Sequence, residues 1–193
     1  MTAPSYILFD TAIGRCAIAW GPQGIVALQL PEASDPATRA RLCRRHPGAE
    51  EAAGPPPEIA HAIAEIVALL EGEANDLADI ALDMAAVPDF NRQVYEIARR
   101  IAPGRTRTYG EIATELGDRA LARDVGQALG QNPFAIIVPC HRVMGANGKV
   151  GGFSANGGVD TKLRMLTIEG APLGSTPTLF DSLPAMARPA RRR

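Results

Sequence analysis

The sequence that organises this chain is Val138-Pro139-Cys140-His141-Arg142-Val143, in which a thiol and an imidazole follow a proline. The run before it, residues 135–138, is short, apolar and rich in β-branched side chains, so it predicts a buried strand or extended segment. Pro139 fixes its own φ and biases the preceding residue toward an extended conformation. Together these residues predict a rigid arm that ends in a thiol.

Cys140 is a candidate nucleophile, but only as the thiolate. At a reference pKa near 8.5, about 3% of a free cysteine is ionised at pH 7. A neighbouring imidazole or a turn rich in N–H groups would raise that fraction by lowering the pKa. Buried cysteine is more often a small packing residue, and adjacent side chains on a strand point to opposite faces. The dipeptide alone is therefore weak evidence for catalysis.

Two short helices are predicted upstream of this motif. Thr108 and Glu111 fit the capping box Thr-x-x-Glu at the start of a helix over residues 109–116, which Gly117 ends. A second helix is expected over residues 119–130. Its outer face carries polar side chains spaced four residues apart: Arg119, Arg123 and Gln127. Two such helices favour a helix-turn-helix, although αα-hairpins also occur without DNA.

The first 86 residues predict a small α/β scaffold. Three strands are expected at residues 5–9, 15–20 and 24–30, separated by glycine-containing turns that favour an antiparallel meander. Helices are expected at residues 36–45 and 58–71, with a loop between them. A further short strand is expected at 80–84, and Asp89 is the expected N-cap of the next helix.

Composition places the chain among ordinary globular proteins, with 46% hydrophobic and 21% charged residues. No apolar run approaches the roughly 18 residues of a membrane helix, and the N-terminus lacks a basic region followed by an apolar one, so we expect no membrane span and no signal peptide. Three cysteines, few and odd in number, favour a reducing compartment, and we expect a cytoplasmic protein. The three histidines show no zinc-ligand spacing, so no metal is predicted.

Charge is distributed unevenly along the chain. Residues 1–87 carry a net charge of −7, whereas residues 88–171 and residues 172–193 each carry +3. A basic C-terminal half is compatible with a polyanion bound by one face. An ordinary solvated surface would give the same pattern, so charge alone does not decide between them.

The segment Asn132-Pro133, followed after five residues by Pro139-Cys140-His141-Arg142-Val143, resembles the signature of the O6-alkylguanine-DNA alkyltransferases (methylated-DNA–protein-cysteine methyltransferases). The resemblance covers about residues 88–171, and residues 108–113 and 122–126 are similar to the family's DNA-binding helices. It implies an α+β protein with two domains. Residues 1–86 would form a small α/β scaffold with an antiparallel sheet (ribonuclease H-like), and residues 87–171 a mostly α, winged-helix-like domain with a helix-turn-helix. The Pro/Ala/Arg-rich composition of residues 172–193 predicts a disordered basic tail.

The resemblance also implies catalytic roles. Cys140 would accept the alkyl group of O6-alkylguanine in an in-line displacement. His141 would be its general base through a bridging water, and Glu169 would orient the imidazole. Tyr109 would donate a proton toward the purine ring as negative charge develops there. Asn132 would hold the active-site turn.

Contacts with DNA follow from the same resemblance. Arg123 would enter the duplex and replace the flipped nucleotide, while Arg119 and Gln127 would contact DNA from the same helix face. This helix would enter the minor groove, where base readout is poor. Ser154 and the backbone of Val143 would line the guanine pocket.

The function implied is direct-reversal DNA repair, in which an alkyl (methyl) group passes from a flipped-out nucleotide to Cys140. The thioether product has no obvious hydrolytic route back to the thiol, so we predict one turnover per molecule and no cofactor. The partner would be double-stranded DNA containing O6-alkylguanine, bound by a monomer, and O4-alkylthymine stays open as a substrate. Two departures from the family's pattern stand out. Phe153 replaces a tyrosine common among relatives, and residues 154–158 are longer than the usual Ser-Gly-Gly.

The residues alone leave other interpretations of the function open. A Cys-His hydrolase would need an oxyanion hole and a third orienting group, and would turn over repeatedly. A helix-turn-helix regulator without chemistry would bind duplex DNA equally well after Cys140→Ser. Arg123 would also suit a phosphate contact, Tyr109 simple packing, and Asn132 a structural Asx turn.

Overall fold

A meander of three antiparallel strands forms because the apolar runs near the N-terminus are separated by tight turns. The strands are β1 (Ser5–Thr11), β2 (Gly14–Gly21) and β3 (Gly24–Gln29), as predicted. Gly24 adopts a φ of +128°, and a Cβ there would lie 2.8 Å from the carbonyl oxygen of Ala81. Only glycine fits this turn without strain. The computed structural model describes residues 3–172, so most of the predicted basic tail lies outside the described residues.

Two helices and a short fourth strand complete the N-terminal part. Helix α1 (Asp35–Arg45) packs against β2 and β3, and α2 (Pro57–Leu70) packs against β1. Strand β4 (Glu50–Glu51) pairs in parallel with β1, which gives the sheet order β3-β2-β1-β4. It lies within a stretch that the sequence predicted to be a loop.

The two faces of this sheet bury different sets of residues. One face packs with Leu42 of α1, and the other packs with α2 and with the C-terminal half. Cys16 lies on the face that packs with α2 and the C-terminal half, and it is fully buried, which agrees with a packing role. The predicted strand at 80–84 is wrong. Leu82 forms only an isolated bridge to Ile25, because the chain there touches the sheet edge at one point.

The C-terminal part is mostly helical. Helix α3 (Asp89–Arg99) is followed by β5 (Arg107–Thr108), α4 (Tyr109–Glu115) and α5 (Ala122–Gly130), with one 3₁₀ turn, Arg119–Leu121, leading into α5. After a 3₁₀ turn at Cys140–Arg142 come β6 (Val143–Met144), a third 3₁₀ turn at Ala146–Gly148 and α6 (Val159–Ile168). The whole is an α+β fold with a small sheet and several helices.

Local capping signals decide where these helices begin. The predicted capping box is present: Thr108 Oγ1 accepts from the Glu111 amide at 3.1 Å, and the Glu111 carboxylate accepts from the Thr108 amide at 2.6 Å. The predicted N-cap role of Asp89 is wrong. Pro88 occupies the cap, and Asp89 is the first helical residue, where its carboxylate accepts from Arg92 at 3.0 Å.

The apolar run before the cysteine is buried as predicted, but it is not a strand. Residues 135–138 form a turn in which Ile136 has a φ of +71°. The reason is Asn132. Its side chain accepts from the Phe134 amide and donates to the Val138 carbonyl, both at 2.9 Å, so the turn satisfies polar groups that a strand would pair with a neighbour.

This turn also joins the two halves of the chain. The Leu28 amide in β3 donates to the carbonyl of Pro133 at 2.8 Å. Phe134 is 1% exposed and packs edge-on against Tyr95 of α3, with ring centroids 6.4 Å apart. The segment that leads to Cys140 is therefore anchored to the sheet on one side and to α3 on the other.

Among residues 3–172, the structure contains no helix with the length and apolar character needed to span a bilayer.

Candidate active site around Cys140

Cys140 begins the 3₁₀ turn that follows Pro139. The amide groups of Cys140 and His141 face the thiol at this turn and favour the thiolate, as the sequence suggested. Burial has the larger effect, however, and raises the pKa of the Cys140 thiol above its ordinary value. The expectation of a lowered pKa is therefore wrong for the protein without DNA. The thiol is held neutral at pH 7.

Two polar side chains oppose this effect of burial. The amide of Asn132 and the ammonium group of Lys162 both act to lower the pKa of Cys140. Asn132 thus lies beside the thiol, and it holds the preceding turn through two hydrogen bonds. Its structural role and its electrostatic role are compatible.

Lys162 is a site residue that the sequence analysis missed. Its side chain is fully buried, and its Nζ donates to the carbonyl of Val143 at 2.6 Å and lies 6.0 Å from the centroid of the Tyr109 ring. Burial lowers the pKa of Lys162 to about 8, against the opposing attraction of Cys140. The signal for it was a lysine on the same helix face as Met165 and Leu166, where α6 is otherwise apolar.

His141 is joined to Glu169 in the core. The imidazole Nε2 lies 2.9 Å from Glu169 Oε1, and both side chains are almost fully buried. Burial acts to raise the pKa of Glu169, but hydrogen bonds from His141 and Arg142 outweigh it and lower the pKa to about 2. Burial also lowers the pKa of His141. The pair is therefore a neutral imidazole beside a carboxylate, as the predicted orienting role requires.

Arg142 fixes the position of this carboxylate. Its Nε donates to Glu169 Oε2 and its Nη2 to Oε1, each at 2.8 Å, while Nη1 donates to the Ile101 carbonyl at 2.6 Å. Two parallel bonds between a guanidinium and a carboxylate set both orientation and distance. The arginine of the motif thus serves Glu169 and, through it, His141.

The tautomer of His141 follows from these contacts. An ionised carboxylate only accepts hydrogen bonds, so Nε2 carries the proton and Nδ1 carries the lone pair. Nδ1 is buried and has no hydrogen-bond partner within the described residues. A buried lone pair without a donor can take a proton, which is the property that a general base needs.

Tyr109 lies at the start of α4, and burial raises its pKa, so the phenol keeps its proton. A Cβ built on Gly151 would lie 3.4 Å from the Tyr109 hydroxyl, and one built on Gly126 would lie 3.8 Å from its ring. The residue thus stands between α5 and the segment after β6. Its neighbours therefore extend beyond the loop that precedes it, and its ring lies 6.0 Å from the ammonium group of Lys162.

The polar residues predicted on the second helix are exposed. Arg119, Arg123 and Gln127 all lie on the outer surface of the 3₁₀ turn and α5, while Val125 and Leu129 are buried on the opposite face. Neither arginine forms an ion pair within the described residues. This geometry agrees with the predicted amphipathic helix.

The two predicted pocket residues differ in their surroundings. Val143 is fully buried, and its carbonyl oxygen already accepts from Lys162. Ser154 is exposed in the segment 145–158 between β6 and α6, and its carbonyl accepts a hydrogen bond from Arg41 of α1 at 2.8 Å. In residues 3–172, no three potential ligand side chains are grouped as a metal site would require.

The fold and the site together define a class: an α+β protein in which a half-buried cysteine adjoins a buried histidine–glutamate pair, next to a pair of helices with a polar outer face. Residues 89–171 match the family model of the 6-O-methylguanine DNA methyltransferase DNA-binding domain. The methylated-DNA–protein-cysteine methyltransferase of Mycolicibacterium paratuberculosis is 43% identical over 126 residues, covering 65% of this chain and 74% of that protein. The chain belongs to the methylated-DNA–protein-cysteine methyltransferase family.

Solved structures agree with this assignment. Mycobacterium tuberculosis OGT in complex with DNA is similar at a TM-score of 0.66 and 32% identity, over 87% of this chain and 95% of that one. The O6-methylguanine-DNA methyltransferase of Pyrococcus kodakaraensis shares the fold at a TM-score of 0.67 and 24% identity, over 86% of this chain and 99% of that one.

Proposed function

We propose that this protein repairs O6-alkylated guanine in double-stranded DNA by transferring the alkyl group to Cys140, once per molecule. Membership of the methyltransferase family supports the reaction. One observation carries the assignment of its residues: the buried, unpartnered Nδ1 of His141, which belongs to the residue adjacent to Cys140. A thiol that burial keeps neutral needs such a base before it can attack.

The steps balance as follows. Cys140 gives its proton to His141 Nδ1 through a bridging water, and Glu169 stabilises the imidazolium that results. The sulfur attacks the alkyl carbon, so an S–C bond forms while the C–O6 bond breaks. The electron pair stays on the guanine, and its ring takes a proton from Tyr109. The products are an S-alkyl cysteine and unmodified guanine.

Lys162 has a place in this scheme because it sits between two reacting groups. Its charge favours the thiolate of Cys140. Its ammonium group lies 6.0 Å from the Tyr109 ring centroid, so it also favours the phenolate left after proton transfer. Both developing negative charges therefore face the same cation.

The exposed face of α5 is the surface that we assign to DNA. Arg119 and Gln127 would contact the backbone, and Arg123 would fill the gap left by the flipped nucleotide. In this scheme residues 87–171 act as a winged-helix-like unit, with the parallel pair β5–β6 as its small sheet, and residues 1–86 as a ribonuclease H-like scaffold. Ser154 and the backbone of Val143 would border the guanine.

The experiment is a transfer assay on a duplex oligonucleotide with a single O6-methylguanine. We expect the peptide that contains Cys140 to gain the mass of one CH₂ unit, with at most one methyl group transferred per protein molecule. Cys140→Ser should abolish transfer and retain binding to the duplex. Cys43→Ser is the matched control and should react like the wild type.

Two outcomes would refute the proposal. Repeated turnover with an unmodified Cys140 would indicate a hydrolase, because a thioether is not regenerated by water. Binding to duplex DNA with no transfer from any O6-alkylguanine would indicate a helix-turn-helix regulator without chemistry.

A further inference from the structure

The segment 150–154, between β6 and α6, has almost no hydrogen bonds of its own. Within the described residues, none of these five positions forms a backbone–backbone hydrogen bond, although its neighbours do: Gly145 with Lys149, and Gly158 with Ala155. Yet this segment borders the reaction site, since Gly151 passes over the Tyr109 hydroxyl. Something else has to hold it in place.

The hydrogen bond that does so comes from the other half of the molecule. Arg41 lies on α1 of the N-terminal part, and its Nη2 donates to the carbonyl of Ser154 at 2.8 Å. The side chains on either side of Ser154, Phe153 and Ala155, pack partly against the core. Residues 153–155 are therefore held by the apolar contacts of Phe153 and Ala155 with the core and by the hydrogen bond from Arg41 to the Ser154 carbonyl.

Arg41 is itself held rigidly. Its Nη1 donates to Glu32 Oε1 at 2.8 Å, and the same oxygen accepts from the buried Gln29 amide at 3.3 Å. The backbone amide of Glu32 donates to the fully buried Thr38 hydroxyl at 3.0 Å. A guanidinium that is already fixed by one carboxylate loses little further freedom when it binds a second acceptor.

From these contacts we infer that Arg41 is a positioning residue, which holds the segment 145–158 over the guanine pocket. This inference rests on the proposed function. It assigns to the N-terminal half, which contributes no side chain to the chemistry, a direct part in substrate binding. Loss of the hydrogen bond from Arg41 to the Ser154 carbonyl lowers the fraction of molecules whose pocket is formed, without changing the reaction inside a formed pocket.

Arg39 provides a matched control on the same helix. Its Nε and Nη2 donate to Glu51 at 3.0 and 2.9 Å, so both of its hydrogen bonds stay within the N-terminal part. Arg39→Gln and Arg41→Gln thus remove the same charge from the same helix. Only Arg41→Gln releases Ser154.

The test uses single-turnover kinetics of the full-length protein with free O6-benzylguanine. For Arg41→Gln we expect the half-saturating concentration to rise about 3- to 10-fold, since one charged hydrogen bond is lost, with the limiting rate constant unchanged. Arg39→Gln should match the wild type in both constants. Arg41→Lys, which keeps the charge but offers no fork, should fall between them.

Hydrogen exchange of the amides of Gly145, Lys149 and Gly158, which donate the backbone hydrogen bonds on either side of residues 150–154, provides a readout that does not depend on activity. Exchange should become faster in Arg41→Gln and not in Arg39→Gln. Glu32→Gln removes the carboxylate that holds Arg41 but keeps Arg41 itself. It should give a smaller increase in the exchange rate, and it tests the inference if Arg41→Gln does not fold. Equal exchange in the two arginine variants overturns the inference while alkyl transfer by the wild type still supports the proposed function. If the wild type transfers no alkyl group, the proposed function is refuted. The hydrogen-exchange comparison alone then decides whether Arg41 holds the segment 145–158.

Discussion

The replacement Glu169→Gln tests the buried network behind the cysteine. Glu169 accepts hydrogen bonds from His141 and from two nitrogens of Arg142, and its side chain is 1% exposed. Glutamine offers one acceptor oxygen and one NH₂ group, so at least one buried donor faces another donor. The guanidinium also loses its counter-charge.

The magnitude can be worked out in two ways. The pKa of Glu169 falls to about 2 from an ordinary value of 4.5. This difference is equivalent to about 3 kcal/mol of folding free energy, at 1.36 kcal/mol per pKa unit. Removal of one partner of a buried ion pair costs about 3–5 kcal/mol in proteins generally. We therefore expect Glu169→Gln to lower the free energy of unfolding by about 3 kcal/mol at pH 7.

The pH dependence of this loss has a definite sign. The carboxyl is more acidic in the folded protein than in the unfolded chain, so its contribution is complete above about pH 5 and disappears as the pH falls toward 2. The difference in unfolding free energy between wild type and Glu169→Gln should thus stay constant above about pH 5 and shrink as the pH falls from 5 to 2. Urea unfolding at several pH values measures it.

Glu115→Gln is the control for this measurement. Glu115 pairs with Arg100 and Arg107 at 2.5 Å, but its side chain is 35% exposed. Such pairs contribute about 0–1 kcal/mol, so we expect little loss of stability. A difference between wild type and Glu169→Gln that stays constant from pH 6 to pH 2, or a loss no larger than that of Glu115→Gln, would refute the reasoning.

Three further predictions concern the thiol, the buried lysine and the exposed Arg123 of α5. In a Cys43→Ser background, iodoacetamide should modify Cys140 more slowly than a free cysteine at pH 8, because burial raises the pKa of Cys140; labelling at the rate of a free cysteine would contradict this. The pKa of Lys162 is about 8 in the folded protein, so between pH 8 and pH 10 the unfolded chain binds one more proton and the stability of the wild type rises with pH. Lys162→Met should lack this rise. Urea unfolding across the same pH range measures the difference between the two proteins. Arg123→Ala should slow transfer from duplex DNA more than from free O6-benzylguanine in parallel rate measurements, and equal slowing would exclude its role in the duplex.

Local rules predicted most of the elements of this fold. The meander, the capping box at Thr108 and Glu111, and the amphipathic face of the second helix each depend on residues close together in sequence. The turn at residues 135–138 was mispredicted because the side chain of Asn132 supplies the hydrogen bonds that a strand would need. Its apolar, β-branched composition reports burial correctly and says nothing of the pairing partner.

The motif resemblance named Cys140, His141 and Glu169 as catalytic. The structure places the His141–Glu169 pair in the core next to Cys140, and their catalytic roles stay predictions. The electrostatics of this site were not predicted. The direction of the thiol's pKa was wrong because it depends on how deeply the turn is buried, which is a tertiary property. Lys162 was missed because it lies on an otherwise apolar helix face. Arg41 was missed because it acts on Ser154, which lies 113 positions further along the chain.

A neutral thiol suits the single alkyl transfer per molecule that we propose. Burial raises the pKa of Cys140 and lowers that of His141, so both groups are uncharged in the protein without DNA. In the proposed reaction, proton transfer from Cys140 to His141 would create a thiolate and an imidazolium together, and the imidazolium would form against the carboxylate of Glu169. That pair of charges is worth forming only when an alkyl carbon is positioned to receive the sulfur. An early reaction would consume the molecule, and the raised pKa of the thiol makes such a reaction slow.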